Sequence, residues 1–130
     1  MTTVNRKIIA PRPHPETEPF WLAAGEGQLL LKKCGDCGEV HYYPRAICPH
    51  CLSGRTEWLT ASGRGTIYSY STMGKAESAY TLAYVTLDEG VTMLTNLIDC
   101  DPAALAIGQS VSVVFVPTEG GPPVPMFRPA

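Results

Sequence analysis

Apolar and polar positions alternate in short runs along the second half of this chain, the period of half-buried strands. From Thr66 to Met73, Tyr68 and Tyr70 fall on one predicted face, with Ile67, Ser69 and Ser71 on the other. Tyr80 to Leu87 alternates less cleanly but is rich in β-branched and aromatic residues. Asp88-Glu89-Gly90 predicts a tight hairpin turn that returns the chain through Val91 to Ile98. Asp101-Pro102-Ala103-Ala104-Leu105 reads as a capped single turn of helix with proline just inside it. Ser110 to Val116 is a further strand, 117–125 a Gly/Pro-rich loop, and Met126-Phe127-Arg128 a short last strand.

The first half is patterned differently. Residues 1–15 carry Pro11, Pro13 and Pro15 and no periodic apolar face, so they are expected to form an extended arm. Thr17 is a candidate helix cap, Pro19 suits a first turn, and Phe20-Trp21-Leu22-Ala23-Ala24 runs to a stop at Gly25. So short a helix is unstable alone, and its aromatic residues must bury against the rest of the chain or against another protein. Gln28 to Lys33 predicts a strand, and Thr56 to Leu59 closes the segment after it. Ser62-Gly63-Arg64-Gly65 marks the passage to the strand-rich half. The expected organisation is an arm and docking helix (1–26), a ribbon (27–60) and a barrel with its tail (61–130). Three long strands, a short helix, a fourth strand and a terminal fifth match the order of an OB-fold barrel, although periodicity alone equally fits another small antiparallel barrel.

Composition agrees with a mainly β chain. At 130 residues, 45% apolar and 17% charged, it can bury a modest core, and twelve prolines with twelve glycines exclude a helical bundle. No apolar run is long enough to span a bilayer and the start has no signal-peptide core, so the expected compartment is the cytoplasm.

In that compartment five cysteines argue for metal or reactive thiol over disulfides. Cys34-Gly35-Asp36-Cys37 and Cys48-Pro49-His50-Cys51 are two Cys-x-x-Cys knuckles ten residues apart. Two facing knuckles supply four soft ligands in a tetrahedron, which suits zinc; rubredoxin-like iron ligation differs little and stays chemically open. Gly38, just after the first pair, can take a positive φ and turn backbone N–H groups toward the sulfurs. Four thiolates leave no open coordination position, so the expected metal is structural, one per chain. Its binding can contribute on the order of 10 kcal/mol to folding of this segment. Cys100 stands apart between Asp99 and Asp101, which would raise its pKa, so it is expected to be a small buried hydrophobe and not a nucleophile.

Several words of the sequence together resemble one family. They are Pro19-Phe20-Trp21, Cys34-Gly35-Asp36-Cys37-Gly38, Tyr43-Pro44-Arg45, Cys48-Pro49-His50-Cys51, Gly63-Arg64-Gly65-Thr66-Ile67-Tyr68 and Leu87-Asp88-Glu89-Gly90. In combination, over roughly residues 15–128, they look like the DUF35 family, a rubredoxin-like zinc ribbon joined to an OB fold. The resemblance implies an accessory role in acyl-CoA metabolism, beside thiolase-like enzymes, MaoC-type hydratases and related aldolases whose chains hold the catalytic residues. It carries over the four cysteines as metal ligands and no catalytic motif. The segment Gly74 to Ala79 is shorter than the family's usual loop there, which leaves the partner's identity open.

Charge and chemistry sort the function classes. Zinc ribbons and OB barrels often bind nucleic acid, and a single-stranded nucleic-acid binder is the alternative reading. Such a protein needs a basic groove. From residue 61 onward three basic residues face six acidic ones, a balance of −3, and a Zn(Cys)₄ centre adds −2 to the formal charge. His14, His41 and His50 have no neighbouring nucleophile or carboxylate that suggests a triad or an acid–base pair, so catalysis by this chain alone is not expected. The expected function is a non-catalytic subunit that docks on an acyl-CoA enzyme and helps bind the CoA thioester. Phe20, Trp21 and Leu22 are its candidate interface, and Arg64, Lys75 and Arg128 its candidate CoA contacts.

Overall fold

The structure is a computed structural model, and it describes residues 7–75 and 79–130. A helix, α1 (Glu18–Gly25), leads into β1 (Leu30–Cys34), β2 (Val40–His41) and β3 (Thr56–Thr60), which form an antiparallel sheet in the order β2-β1-β3. Beyond them lie β4 (Arg64–Met73), β5 (Tyr80–Leu87), β6 (Thr92–Leu97), a 3-10 turn (Pro102–Ala104), β7 (Ser110–Val116) and β8 (Val124–Pro129). These five strands close a barrel in the order β4-β5-β6-β8-β7, with antiparallel pairs except between β6 and β8. Element order and closure are those expected for an OB fold.

Closure is made possible at Gly65. It pairs with Leu87 on β5 and with Val111 on β7, so three backbones converge there. A Cβ at Gly65 would lie 2.5 Å from the Thr86 carbonyl oxygen and 2.8 Å from Val85 Cγ1. The Gly63-Arg64-Gly65 word is therefore a packing requirement of the barrel seam. The opposite seam is thin: β6 and β8 pair only at Leu97 and Phe127, supplemented by a 3.2 Å bond from Thr95 Oγ1 to the Pro125 carbonyl.

One expectation about strand faces is corrected. β4 carries a bulge at Tyr68, since Ile67 pairs with Val85 but Ser69 pairs with Tyr84. The extra residue reverses the facing of every later position in the strand. Tyr68 points out, whereas Tyr70 lies opposite buried Ala83 and sends its hydroxyl to the Leu105 carbonyl at 2.9 Å. Tyr68 and Tyr70 thus occupy different faces, and Tyr70 ties the barrel wall to the 3-10 turn.

The helix cap also differs from expectation. Thr17 makes no side-chain capping bond; its hydroxyl accepts the His14 N–H at 3.1 Å and so ties the helix to the arm. Asp101 is the residue that does cap, its carboxylate accepting the Ala103 N–H at 3.0 Å ahead of the 3-10 turn.

Helix, ribbon and barrel share one core. Phe20, Trp21, Leu29 and Leu31 belong to the same buried cluster as Ile67, Val85, Met93, Val111 and Phe127. No helix among the described residues is long and apolar enough to cross a membrane.

Candidate metal centre

The four ribbon cysteines converge. β1 ends at Cys34, the first knuckle turns through Cys37, and the loop ahead of β3 returns Cys48 and Cys51 to face them. All four sulfurs lie within 4.8 Å of one another, with Cys34 Sγ 3.6 Å from Cys51 Sγ and Cys37 Sγ 3.7 Å from Cys48 Sγ. Four thiolates held tetrahedrally at a Zn–S distance of about 2.3 Å are separated by about 3.8 Å. The donor set fits zinc in type, number and spacing.

Backbone geometry prepares the sulfurs for a cation. The Asp36 and Cys37 N–H groups point at Cys34 Sγ at 3.4 and 3.5 Å, and the His50 N–H points at Cys48 Sγ at 3.4 Å. The Cys37 N–H is the main reason the Cys34 thiol falls to about 6, against the opposing effect of burial. At Cys37 a backbone hydrogen bond from Glu39 favours the thiolate, yet burial and the neighbouring sulfurs push the group up to about 12. Four sulfurs this close cannot all ionise without a positive ion between them, and a divalent metal supplies it. With four sulfur ligands such an ion has no vacant position, and its role is to staple the two knuckles together.

Each knuckle ends on a left-handed residue. Gly38 takes φ +77° as expected, and Leu52 takes the equivalent place in the second knuckle at φ +67°, with its side chain exposed. A latch outside the metal joins the knuckles: Asp36 accepts hydrogen bonds from Ser53 Oγ and, at 2.8 Å, from Arg55 Nη1. Sequence reasoning missed Leu52, Ser53 and Arg55; the signal for the latch was an acid inside one knuckle and a hydroxyl and a cation just beyond the other.

The remaining candidates separate. Phe20 and Trp21, expected at an interface, are instead buried inside the chain, which corrects that expectation for both. Phe20 packs edge-on to Tyr43 at 5.5 Å, and Trp21 Nε1 donates to the Tyr43 hydroxyl at 2.8 Å. Only Leu22 of the three faces solvent. Arg64 and Arg128 are brought into one row across three strands, each opposite Ser112 on β7. Each also meets a carboxylate, Arg64 Nε at 3.6 Å from Asp88 and Arg128 Nη1 at 3.9 Å from Asp99. Lys75 lies beyond the far end of β4, a strand's length from that row; residues 76–78 of its loop lie outside the described residues. Cys100 is half-buried, and burial first, then Asp99 and Asp101, pushes its thiol up.

Among the other histidines, His50 is exposed and His41 is buried. His41 Nε2 accepts the Arg45 N–H at 3.2 Å, and burial holds its pKa below the ordinary histidine value. It shares a row of the ribbon sheet with Lys32 and Trp58; Lys32 is also buried, with its ammonium 4.2 Å from the centre of the Trp58 ring.

Two family models match the chain in succession. Residues 21–57 match the family model for the ChsH2 rubredoxin-like zinc ribbon domain, and residues 58–116 match that for the ChsH2 C-terminal OB-fold domain. A DUF35 domain-containing scaffold protein of Methanothermobacter thermautotrophicus is 40% identical over 94 residues, covering 67% of this chain and 71% of that protein. A protein of Thermomonospora curvata named as a probable enoyl-CoA hydratase alpha subunit is 32% identical over 95% of this chain. This chain spans only 41% of that relative's length. Among solved structures, a chain of an Ltp2-ChsH2(DUF35) aldolase superposes with a TM-score of 0.80 at 29% identity, over 92% of this chain and 98% of that one.

Proposed function

This chain belongs to the DUF35 family, and from that premise we propose that it is a non-catalytic accessory subunit of an acyl-CoA-processing complex. The observation that carries the reading is the superposition on nearly the whole of one chain of an Ltp2-ChsH2(DUF35) aldolase. The hydratase alpha subunit and the scaffold protein among its relatives support the same conclusion. The metal chemistry is consistent with it, since a sulfur-saturated zinc stabilises a docking module and offers nothing to a substrate. The partner we infer is a thiolase-like or MaoC-type acyl-CoA enzyme in the cytoplasm. Leu22 is the docking candidate left on α1. Arg64 and Arg128, flanking Ser112, are the proposed phosphate contacts of CoA, with Lys75 a more distant one.

The test is affinity purification of the tagged chain from its native host, with the co-purifying proteins identified by mass spectrometry. An acyl-CoA thiolase, hydratase or aldolase in stoichiometric amount is the expected result. Recovery of the chain alone, or with nucleic acid, overturns the reading. Arg64→Ala should weaken acyl-CoA affinity of the assembled complex, and an unchanged affinity removes that residue from the proposed contacts.

A further inference from the structure

Beyond Arg64 at its edge, which is paired with Asp88, the outer face of β4, β5 and β6 carries no charge. From Gly65 to Met73, Tyr80 to Leu87 and Thr92 to Leu97 there is not one Asp, Glu, Lys or Arg. Yet large side chains on this face stand in solvent: Tyr68 is 65% exposed, Tyr84 47% and Leu94 51%. Tyr68 points out beside inward Ile67, the bulge there turns Ser69 outward as well, and cross-strand pairing aligns Ser69, Tyr84 and Leu94 in one row. Two hollows flank Leu94. One of about 310 Å³ lies over Ser69, Leu82 and Tyr84. The other, of about 370 Å³, opens at the thin β6–β8 seam, where Lys7, Ile8 and Ile9 of the arm meet Val124 and Met126.

We propose that this face is the main docking surface of the chain, and that its occupant is the acyl-CoA enzyme of the accessory-subunit reading, on which this inference rests. The exclusion of other occupants is physical. A nucleic acid or the phosphates of CoA require a cluster of cations, and this face offers only Arg64 and Lys7 at its margins, each already beside a carboxylate. Charge depletion together with exposed tyrosine is the composition of a protein–protein interface core. Size argues against a second copy of this chain. Three strands about 4.8 Å apart and six residues long span on the order of 300 Å². Two such patches facing each other bury about 600 Å², half of the roughly 1,200 Å² at which stable interfaces begin. A larger enzyme can cover this face and the adjoining seam with its Ile9 rim at once. Leu94, the ridge between the hollows, then inserts between partner side chains, and Tyr84 packs beside it.

The experiment compares native-host purifications of tagged wild type, Leu94→Arg, Tyr84→Glu and Leu22→Arg, each checked for melting temperature and zinc content. Both altered side chains on the barrel point to solvent, so folding should persist, and two independent variants guard against a local defect in either. Recovery of the acyl-CoA enzyme should fall at least tenfold for Leu94→Arg and for Tyr84→Glu. Undiminished recovery with both, or loss confined to Leu22→Arg, overturns the barrel face while leaving the accessory role intact. Wild type that recovers no acyl-CoA enzyme overturns the accessory role and this inference with it. A wild-type dimer in sedimentation velocity that Leu94→Arg dissociates assigns the face to a second copy and overturns the proposal.

Discussion

Gly65 and His41 show how much a single position can carry in this small fold. Gly65→Ala places a methyl group 2.5 Å from a backbone carbonyl in the barrel seam, where neither β5 nor β7 can retreat without breaking the closure. Overpacking of this kind costs about 1–3 kcal/mol or more, and a urea melt should record a loss in that range. His41 offers a pH test. It accepts a hydrogen bond at Nε2, its Nδ1 has no partner among the described residues, and Lys32, Arg45 and His50 all oppose its charging. Burial first, and then these neighbouring charges, lowers its folded pKa, while the unfolded chain titrates near 6.5. Below that value the unfolded state binds more protons, so stability is complete above about pH 6.5 and falls as pH drops toward the folded value. Urea melts at pH 7.5 and pH 5.5, with bound zinc monitored in parallel, should show this loss in the wild type and a smaller one in His41→Gln. Equal losses in both would remove His41 as the source.

At the scale of elements, the ribbon and helix depend on the metal and on aromatic packing in different ways. Removing zinc with a chelator, or breaking the centre with Cys34→Ser or Cys51→Ser, should unfold the knuckles and abolish partner binding. Metal analysis should find one zinc per wild-type chain and none in the variants, and circular dichroism should retain the barrel signal. α1 is held by burial: Phe20 is 1% exposed, so Phe20→Ala should cost about 3–5 kcal/mol, whereas Leu22→Ala should stay within about 0.5 kcal/mol. A thermal melt of the two variants separates the residues that the sequence grouped together. The sequence placed all three aromatic and aliphatic residues at an interface because a short apolar helix needs a cover. It could not show that Tyr42 and Tyr43 supply that cover for Phe20 and Trp21 from 22 residues away.

For the whole molecule, charge is the deciding property. The barrel half is acidic, and the exposed tyrosines of β4 and β5 offer stacking partners with no cation on those strands but Arg64. Fluorescence anisotropy with single-stranded DNA or RNA should show no retention at about 0.15 M salt, where the Debye length is about 8 Å. Tight binding there would revive the nucleic-acid reading. The shared core has a further consequence, because helix and ribbon pack into the same cluster as the barrel interior. Loss of the metal therefore exposes one flank of the barrel as well as the ribbon, and its melting temperature should drop even where its strands persist.

Cysteine spacing, turn residues and strand periodicity sufficed to read the metal ligands, the order of elements and the five-strand barrel from the chain itself. These are local properties: a knuckle, a hairpin turn or an alternating strand is written within a few neighbouring residues. What only the tertiary structure decided was direction and company. One inserted residue at Tyr68 reversed the facing of Tyr70, the β4–β7–β8 register set Arg64 and Arg128 on either side of Ser112, and Tyr43 took up Trp21. Each of these depends on which distant backbone lies alongside, and strand pairing between remote segments leaves no mark in the local pattern of either one.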